Sequence, residues 1–317
     1  MGKILANDGI AQIGIDLLKK GGFEVITTKV AQEQLVNFIN KNDIKALLVR
    51  SATEARKSLV DACPNLELIG RGGVGMDNID VEYAKSKGVH VINTPAASSE
   101  SVAELVFAHL FGGVRFLYDS NRNMPLDGDS KFKQLKKSYA GGTELRGKTL
   151  GLIGFGRIGK ATAKMALGLG MNVVYTDSYV PEATLEVPFF DGQSVTFTLE
   201  GSSKEDVLRN SDFISVHVPA QKDYILGKEE FGQMKSGVGI INASRGGVLD
   251  EVALIDALES EKIAFAGLDV FESEPNPEIK ILMHPRISLT PHIGAATQEA
   301  QERIGAELAS QIIQLLK

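Results

Sequence analysis

The chain has 317 residues, enough for two domains, and with 43% hydrophobic and 23% charged residues each half can bury a core. A net charge of −6 provides no broad cationic surface, which argues against nucleic acid and membrane as partners and leaves a small anionic ligand held by local arginines. Cys63 is the sole cysteine, so neither an internal disulfide nor a thiolate metal site is expected, and a reducing, cytoplasmic setting follows.

The amino terminus, MGKILANDGI, enters a strand-like run without the apolar core of a signal peptide, and no later segment reaches the roughly 18 apolar residues of a membrane span. The runs KILAND, FEVITT, KALLVR, LELIGR and VHVINT alternate with helical patterns at 10–20, 31–42, 54–63 and 80–87, which predicts a parallel sheet. A longer helical pattern, SESVAELVFAHLFGGVRFLY, carries Ser101 and Glu104 in capping-box spacing. Residues 119–147 are polar and rich in Gly and Lys, a linker or an arm. The βα rhythm restarts at KTLGLIG and continues through NVVYTD, DFISVHV, VGIINAS, AFAGLDV and RISLTP, so a second doubly wound parallel sheet is expected. One piece interrupts it. TLEVPFFDGQSVTFTLE (184–200) has two alternating runs around Asp191-Gly192 and predicts a hairpin with a two-residue turn. The last segment, ATQEAQERIGAELASQIIQLL, is amphipathic with no strand after it and is expected to return to the first sheet.

Within the second rhythm, Gly154, Gly156 and Gly159 stand in GxGxxG spacing directly after a strand and before a helix. Gly154 allows the tight turn, Gly156 lets a pyrophosphate approach the backbone, and Gly159 lets helix and strand pack closely. The next strand ends at Asp177, 18 residues beyond Gly159. A carboxylate there accepts hydrogen bonds from ribose hydroxyls and repels a 2′-phosphate, so the expected cofactor is NAD rather than NADP. Arg157, inside the turn, faces either a phosphate or only solvent, and Ile158 beside it is a further candidate for cofactor contact.

Three further strand ends, INASRGGVLDE, LDVFESEP and TPHIGAAT, carry polar groups that a buried core would not choose. Ligands of parallel sheets sit outside the carboxyl ends of the strands, so Arg245, Asp269, Glu274 and His292 are expected around one crevice. Hydride exchange between a hydroxy acid and nicotinamide needs a proton carrier, a partner to orient it and a cation for the carboxylate. His292, Glu274 and Arg245 suit those roles.

Together with VRSAT (49–53), GRGGVGMDNID (70–80) and NTP followed by SVAELV, these segments resemble the D-isomer-specific 2-hydroxyacid dehydrogenase family, most closely its phosphoglycerate-oxidising members, over nearly the whole chain. The resemblance implies a Rossmann NAD domain (99–292) inserted into a flavodoxin-like, discontinuous substrate domain (1–98 and 293–317), with chain crossings near 98 and 293. It implies His292 as acid/base, Glu274 as the carboxylate on its other ring nitrogen, and Arg245 as the substrate clamp. A carboxylate neighbour favours imidazolium, and a planar guanidinium meets a carboxylate in two parallel bonds. Gly73, Val74 and Gly75 resemble the loop whose amides hold the substrate carboxylate, and Asp269 the acid on the nicotinamide carboxamide side. Val218, Ala243, Ser244, Gly294 and Ala295 match positions that contact the cofactor.

Arg50 and Arg71 end two strands of the first sheet and, with Ser51, are placed to bind a phosphorylated substrate. Lys136 and Lys137, within 119–147, resemble a basic stretch that reaches a neighbouring subunit, which predicts a two-fold homodimer. His90 and His109 lie in apolar patterns and read as satisfied structural residues, His284 as a loop residue, and His217 as a neighbour of the cofactor crevice. No His, Cys and carboxylate cluster has metal-ligand spacing, so no metal is expected. The favoured chemistry is oxidation of 3-phosphoglycerate to 3-phosphohydroxypyruvate, the first step toward serine, ahead of glyoxylate or hydroxypyruvate reduction; a third reading is a non-catalytic NAD-sensing protein.

Overall fold

The computed structural model describes residues 2–317. The chain forms two compact units, one of residues 1–101 with 295–317 and one of residues 102–294. The crossings therefore fall at 101/102 and 294/295, where the sequence suggested 98 and 293.

In the first unit, β1 (Lys3–Ala6), α1 (Gln12–Lys20), β2 (Glu24–Ile26), α2 (Gln32–Asn42), β3 (Ile44–Val49), α3 (Lys57–Ala62), β4 (Leu68–Arg71), α4 (Val81–Ser86) and β5 (His90–Asn93) alternate strictly. The five strands are parallel in the order β2-β1-β3-β4-β5, the flavodoxin-like arrangement, with its switch point between β1 and β3. The two-residue side-chain period divides β3 after its first residue: Leu47 and Val49 join one core layer and Ala46 and Leu48 the other, while Ile44, which precedes a register shift against β1, sits with Leu47 and Val49. The second layer is completed by Ile304, Leu308 and Ile312 of the C-terminal helix, Gln298–Leu316, which returns to this sheet as its amphipathic pattern requires. That helix packs on α1 so closely that a Cβ at Gly14 would stand 2.8 Å from the carbonyl of Gly305. His90 opens β5 with an exposed side chain; the apolar run around it placed it inside, but it occupies the outward position of the pleat.

The helix α5 (Ser99–Val114) begins two residues before Ser101, so Ser101 lies inside the first turn and is not its cap. Phe116 then takes a left-handed φ of 56° and separates α5 from α6 (Leu117–Asp127), which is followed by α7 (Phe132–Ser138). The segment 119–147 is thus largely helical, and neither α6 nor α7 has a buried residue. No single helix is long and apolar enough to cross a membrane among the described residues.

The second unit continues through β6 (Thr149–Ile153), α8 (Arg157–Gly168), β7 (Asn172–Thr176), β8 (Glu182–Pro188), β9 (Ser194–Glu200), α9 (Lys204–Asn210), β10 (Phe213–Val216), α10 (Lys228–Gln233), β11 (Val238–Asn242), α11 (Glu251–Glu259), β12 (Ile263–Leu268), α12 (Ile279–Met283) and β13 (Ile287–Leu289). Six of these strands form a parallel sheet ordered β13-β12-β11-β10-β6-β7, which reverses direction between β6 and β10. β8 and β9 form a separate antiparallel hairpin. Beside the edge strand β7 the hairpin base makes one bridge, Tyr175 to Gly201, and buries Ala183, Leu185 and Val187, which shields an otherwise open edge. Its turn corrects the two-residue expectation. The Gly192 amide bonds the Phe189 carbonyl and the Phe189 amide bonds the Gln193 carbonyl, leaving Phe190, Asp191 and Gly192 as a three-residue loop. Only Gly192 takes positive φ, at 84°, which suits the position after a type I turn rather than a primed turn.

Candidate active site

The glycine turn joins β6 to α8. Gly154 has φ 94°, and a Cβ there would collide with the His217 carbonyl and stand 3.1 Å from Val218. A Cβ at Gly159 would collide with the Gly154 carbonyl, whereas one at Gly156 would meet nothing within 4 Å. Two glycines are therefore set by packing and the third faces open space. No side chain caps α8 at Gly156, so the Arg157, Ile158 and Gly159 end presents backbone amides to an anion. Asp177 sits at this turn: one carboxylate oxygen accepts from the Phe155 amide (2.6 Å), the other from the Tyr179 amide (2.8 Å). The open glycine, the uncapped amides and the fixed acid fit a dinucleotide.

Just past β10, beside the turn, His217 bonds the Ser215 hydroxyl through Nε2 at 3.0 Å. Burial pushes its pKa down to about 4, so the ring is neutral at physiological pH.

At the end of β11, Ala243 and Ser244 are buried, and the Ser244 amide and hydroxyl both donate to Asn242 Oδ1 (3.1 and 2.8 Å). Asn242 Nδ2 in turn donates to the Arg245 carbonyl at 2.9 Å. A Cβ at Gly246 would collide with the Phe271 carbonyl, so only glycine lets the Arg245 loop lie against the loop after β12. That second loop carries Glu274, whose Oε1 accepts from the Phe271 amide (3.0 Å) while Oε2 meets His292 Nδ1 at 2.9 Å. With Nδ1 turned to the carboxylate, Nε2 is the ring nitrogen left for another partner. Both side chains remain solvent-accessible, at 44% and 36% exposure. A mostly apolar cavity of about 410 Å³, walled by Phe271, Leu282 and Leu289 with three prolines, opens beside the pair.

Asp269 holds the histidine's loop. Its Oδ1 accepts from the Thr290 hydroxyl (2.7 Å) and the Ile293 amide (2.8 Å), and its Oδ2 from the Gly294 amide (2.8 Å). The Asp269 carbonyl takes the His292 amide at 2.8 Å, and His292 has a left-handed φ of 54°. Nearby, Glu251 and Glu272 each accept the other's backbone amide (3.0 and 2.9 Å), and burial raises the Glu251 pKa.

In the first unit an equivalent brace secures the VRSAT loop. Asp8 Oδ2 accepts from the Arg50 and Thr53 amides (2.7 and 3.1 Å), and Oδ1 from the Thr53 hydroxyl (2.8 Å). Asn78 Nδ2 donates to the Arg50 and Thr53 carbonyls, leaving Ser51 exposed between them. The Gly73–Gly75 loop follows Arg71; Gly73 has φ 143°, its carbonyl accepts from the Thr94 amide, and the Val74 carbonyl accepts from Asn93 Nδ2. Ala295 begins the return into this unit, its carbonyl bonded by Gln301.

Sequence reasoning missed Asp8, Asn78 and Thr290 as braces. The available signal for Asp8 was a polar residue just past β1, at the switch point of its sheet. A larger cavity of about 740 Å³ lies at the opposite, amino-terminal ends of the second sheet. Four of its charges are paired, Lys235 with Asp212 and Arg286 with Glu261, and no histidine lines it.

Residues 107–294 match the family model for the NAD-binding domain of D-isomer specific 2-hydroxyacid dehydrogenases. The chain belongs to that family. Among the similar dehydrogenases, hydroxypyruvate reductase of Thermotoga maritima is 41% identical over 95% of this chain and 93% of its own length. D-3-phosphoglycerate dehydrogenase of Archaeoglobus fulgidus is 37% identical over 99% of this chain, which spans 57% of that longer protein. The crystal structure of NAD-bound 3-phosphoglycerate dehydrogenase from Entamoeba histolytica superposes with a TM-score of 0.77 at 26% identity, covering 100% of this chain and 95% of the other. This 2-hydroxyacid dehydrogenase uses NAD, and the glycine turn and Asp177 are the features of its own chain that suit that cofactor.

Proposed function

We propose that this dehydrogenase oxidises 3-phosphoglycerate to 3-phosphohydroxypyruvate, with His292 as the acid/base. The observation that carries the chemistry is the 2.9 Å contact between His292 Nδ1 and Glu274. NAD, when bound, supplies the hydride acceptor. Within the chain, Nε2 of His292 takes the hydroxyl proton as the hydride leaves the adjacent carbon, and the Glu274 carboxylate stabilises the imidazolium that forms. Arg245 and the amides of Gly73, Val74 and Gly75 hold the substrate carboxylate. Asp269 has three of its roughly four acceptor positions filled, leaving one for the carboxamide. Val218, Ala243, Ser244, Gly294 and Ala295 line the cofactor, while Arg50, Ser51 and Arg71 take the phosphate.

A second reading, reduction of hydroxypyruvate or glyoxylate, is favoured by the 41% identity to a reductase of matching length. Initial rates separate the two. A kcat/KM for 3-phosphoglycerate at least tenfold above that for glycerate, lost on Arg50→Ala, supports the first; a phosphate-independent preference overturns it, and no turnover with any acid leaves the NAD-sensing protein. The same reading includes a cytoplasmic homodimer assembled through α6 and α7, which expose Leu117, Met124, Leu126 and Phe132. Sedimentation of a Leu126→Asp, Phe132→Asp variant as a monomer is the expected result.

A further inference from the structure

His109 lies in the middle of α5, 3% exposed, with its ring bonded to two hydroxyls and to no charged group. Its seat is built from three elements. A Cβ at Gly267 on β12 would stand 2.6 Å from the His109 Cβ, so glycine there makes room for the ring. Nδ1 lies 2.9 Å from the Ser288 hydroxyl and Nε2 2.9 Å from the Thr290 hydroxyl, both from β13 and its end. If packing were the only need, apolar residues would fill positions 109, 288 and 290 at lower cost.

The proton directions follow from the bonds. Thr290 has one hydroxyl proton and gives it to Asp269 Oδ1, so its oxygen must accept from His109 Nε2–H. Nδ1 of the neutral ring is then an acceptor, and Ser288 donates to it. Burial keeps the ring neutral by lowering its pKa, against the pull of Asp269. A single directed chain therefore runs Ser288 to His109 to Thr290 to Asp269, and Asp269 grips the two amides after His292.

We infer that His109 is a positioning residue for His292, acting through the Thr290 hydroxyl and the Asp269 carboxylate. It orients the threonine proton, and so helps hold His292 in its left-handed backbone conformation. The inference rests on the acid/base reading of His292.

The test compares His109→Leu, His109→Gln, Thr290→Val, the double variant His109→Leu/Thr290→Val, and His292→Ala. His109→Leu and Thr290→Val are each expected to lower kcat about tenfold with the KM for NADH within about twofold. Because both break one chain, the double variant should be no slower than either single. Gln, whose amide nitrogen reaches Thr290, should restore kcat to within about threefold of the parent. Equal losses for Leu and Gln, additive losses in the double variant, or parental kcat in Thr290→Val overturn the inference; the last arm stands even if His109→Leu does not fold. Normal turnover in His292→Ala sinks the acid/base reading and this inference with it. Loss there with normal turnover in His109→Leu sinks only the inference.

Discussion

The loops at 50–53 and 290–294 lie in different units, yet they are secured by the same device. In each, a buried side chain donates to a threonine hydroxyl, the hydroxyl donates to an aspartate, and the aspartate accepts two loop amides. In the first unit the members are Asn7, Thr53 and Asp8; in the second they are His109, Thr290 and Asp269. The donors differ. Asn7 presents an amide, fixed further by bonds to the Val30 backbone, and cannot change protonation state. His109 presents an imidazole, which can. The loop given the proton-transfer role is thus tied to a titratable group, and the loop given the phosphate role is not.

The largest expected effect tests whether the second loop is the chemical one. His292→Ala should lower kcat by about 10²–10⁴ while NADH affinity, read by fluorescence titration, changes less than twofold. Parallel loss of both would show that the histidine shapes the cofactor site instead.

Next comes the brace itself. Asparagine at either aspartate keeps one acceptor oxygen and turns an NH₂ toward a loop donor, which costs about 1–3 kcal/mol at the buried Asp269 and less at the half-buried Asp8. Asp269→Asn should therefore reduce kcat, and Asp8→Asn should mainly raise the KM for the acid substrate. Identical kinetic signatures would erase the functional distinction between the loops.

The titratable donor can be probed with acid. His109 and His217 have folded pKa values below the ordinary 6.5, His217 at about 4, so the unfolded chain binds more protons in that window. Stability is full above about pH 6.5 and falls as pH drops toward 4. Melting curves should show this loss, and His217→Leu should flatten part of it. Amide exchange at 290–294 should accelerate in the same window before exchange at 50–53 does.

The smallest effect is expected at Glu251, a buried acid with no threonine relay. Its raised pKa means that its stabilising contribution is present at acid pH and is lost as pH rises through the folded value. Glu251→Gln should raise Tm by no more than about 2–4 °C at pH 8 and hardly at all at pH 4, measured by calorimetry.

Both sheets and the glycine turn were legible because their signals are local. Apolar runs, glycine spacing and polar strand ends are all read within a few residues, and all eleven runs became strands of the two sheets. The His292–Glu274 pair was readable for the same reason, since each stands in the loop that follows a strand. What stayed hidden depends on partners far along the chain. His109 meets Ser288 and Thr290 about 180 positions away, so it looked like ordinary core. Ser101 looked like a cap because its spacing to Glu104 is correct, but the helix starts earlier. The Asp191-Gly192 pair marked a turn without saying how many residues the turn holds, since a glycine at positive φ serves both lengths.

The contact between Gly14 and Gly305 has a consequence for biosynthesis. The first sheet is translated early, but the layer that contains Ala46 and Leu48 lacks Ile304, Leu308 and Ile312 until the helix Gln298–Leu316 has been made. Residues 102–294 are complete sooner and can fold while the earlier segment still waits. Chains truncated before residue 298 should then resist protease over residues 102–294 and stay susceptible over the segment that precedes them.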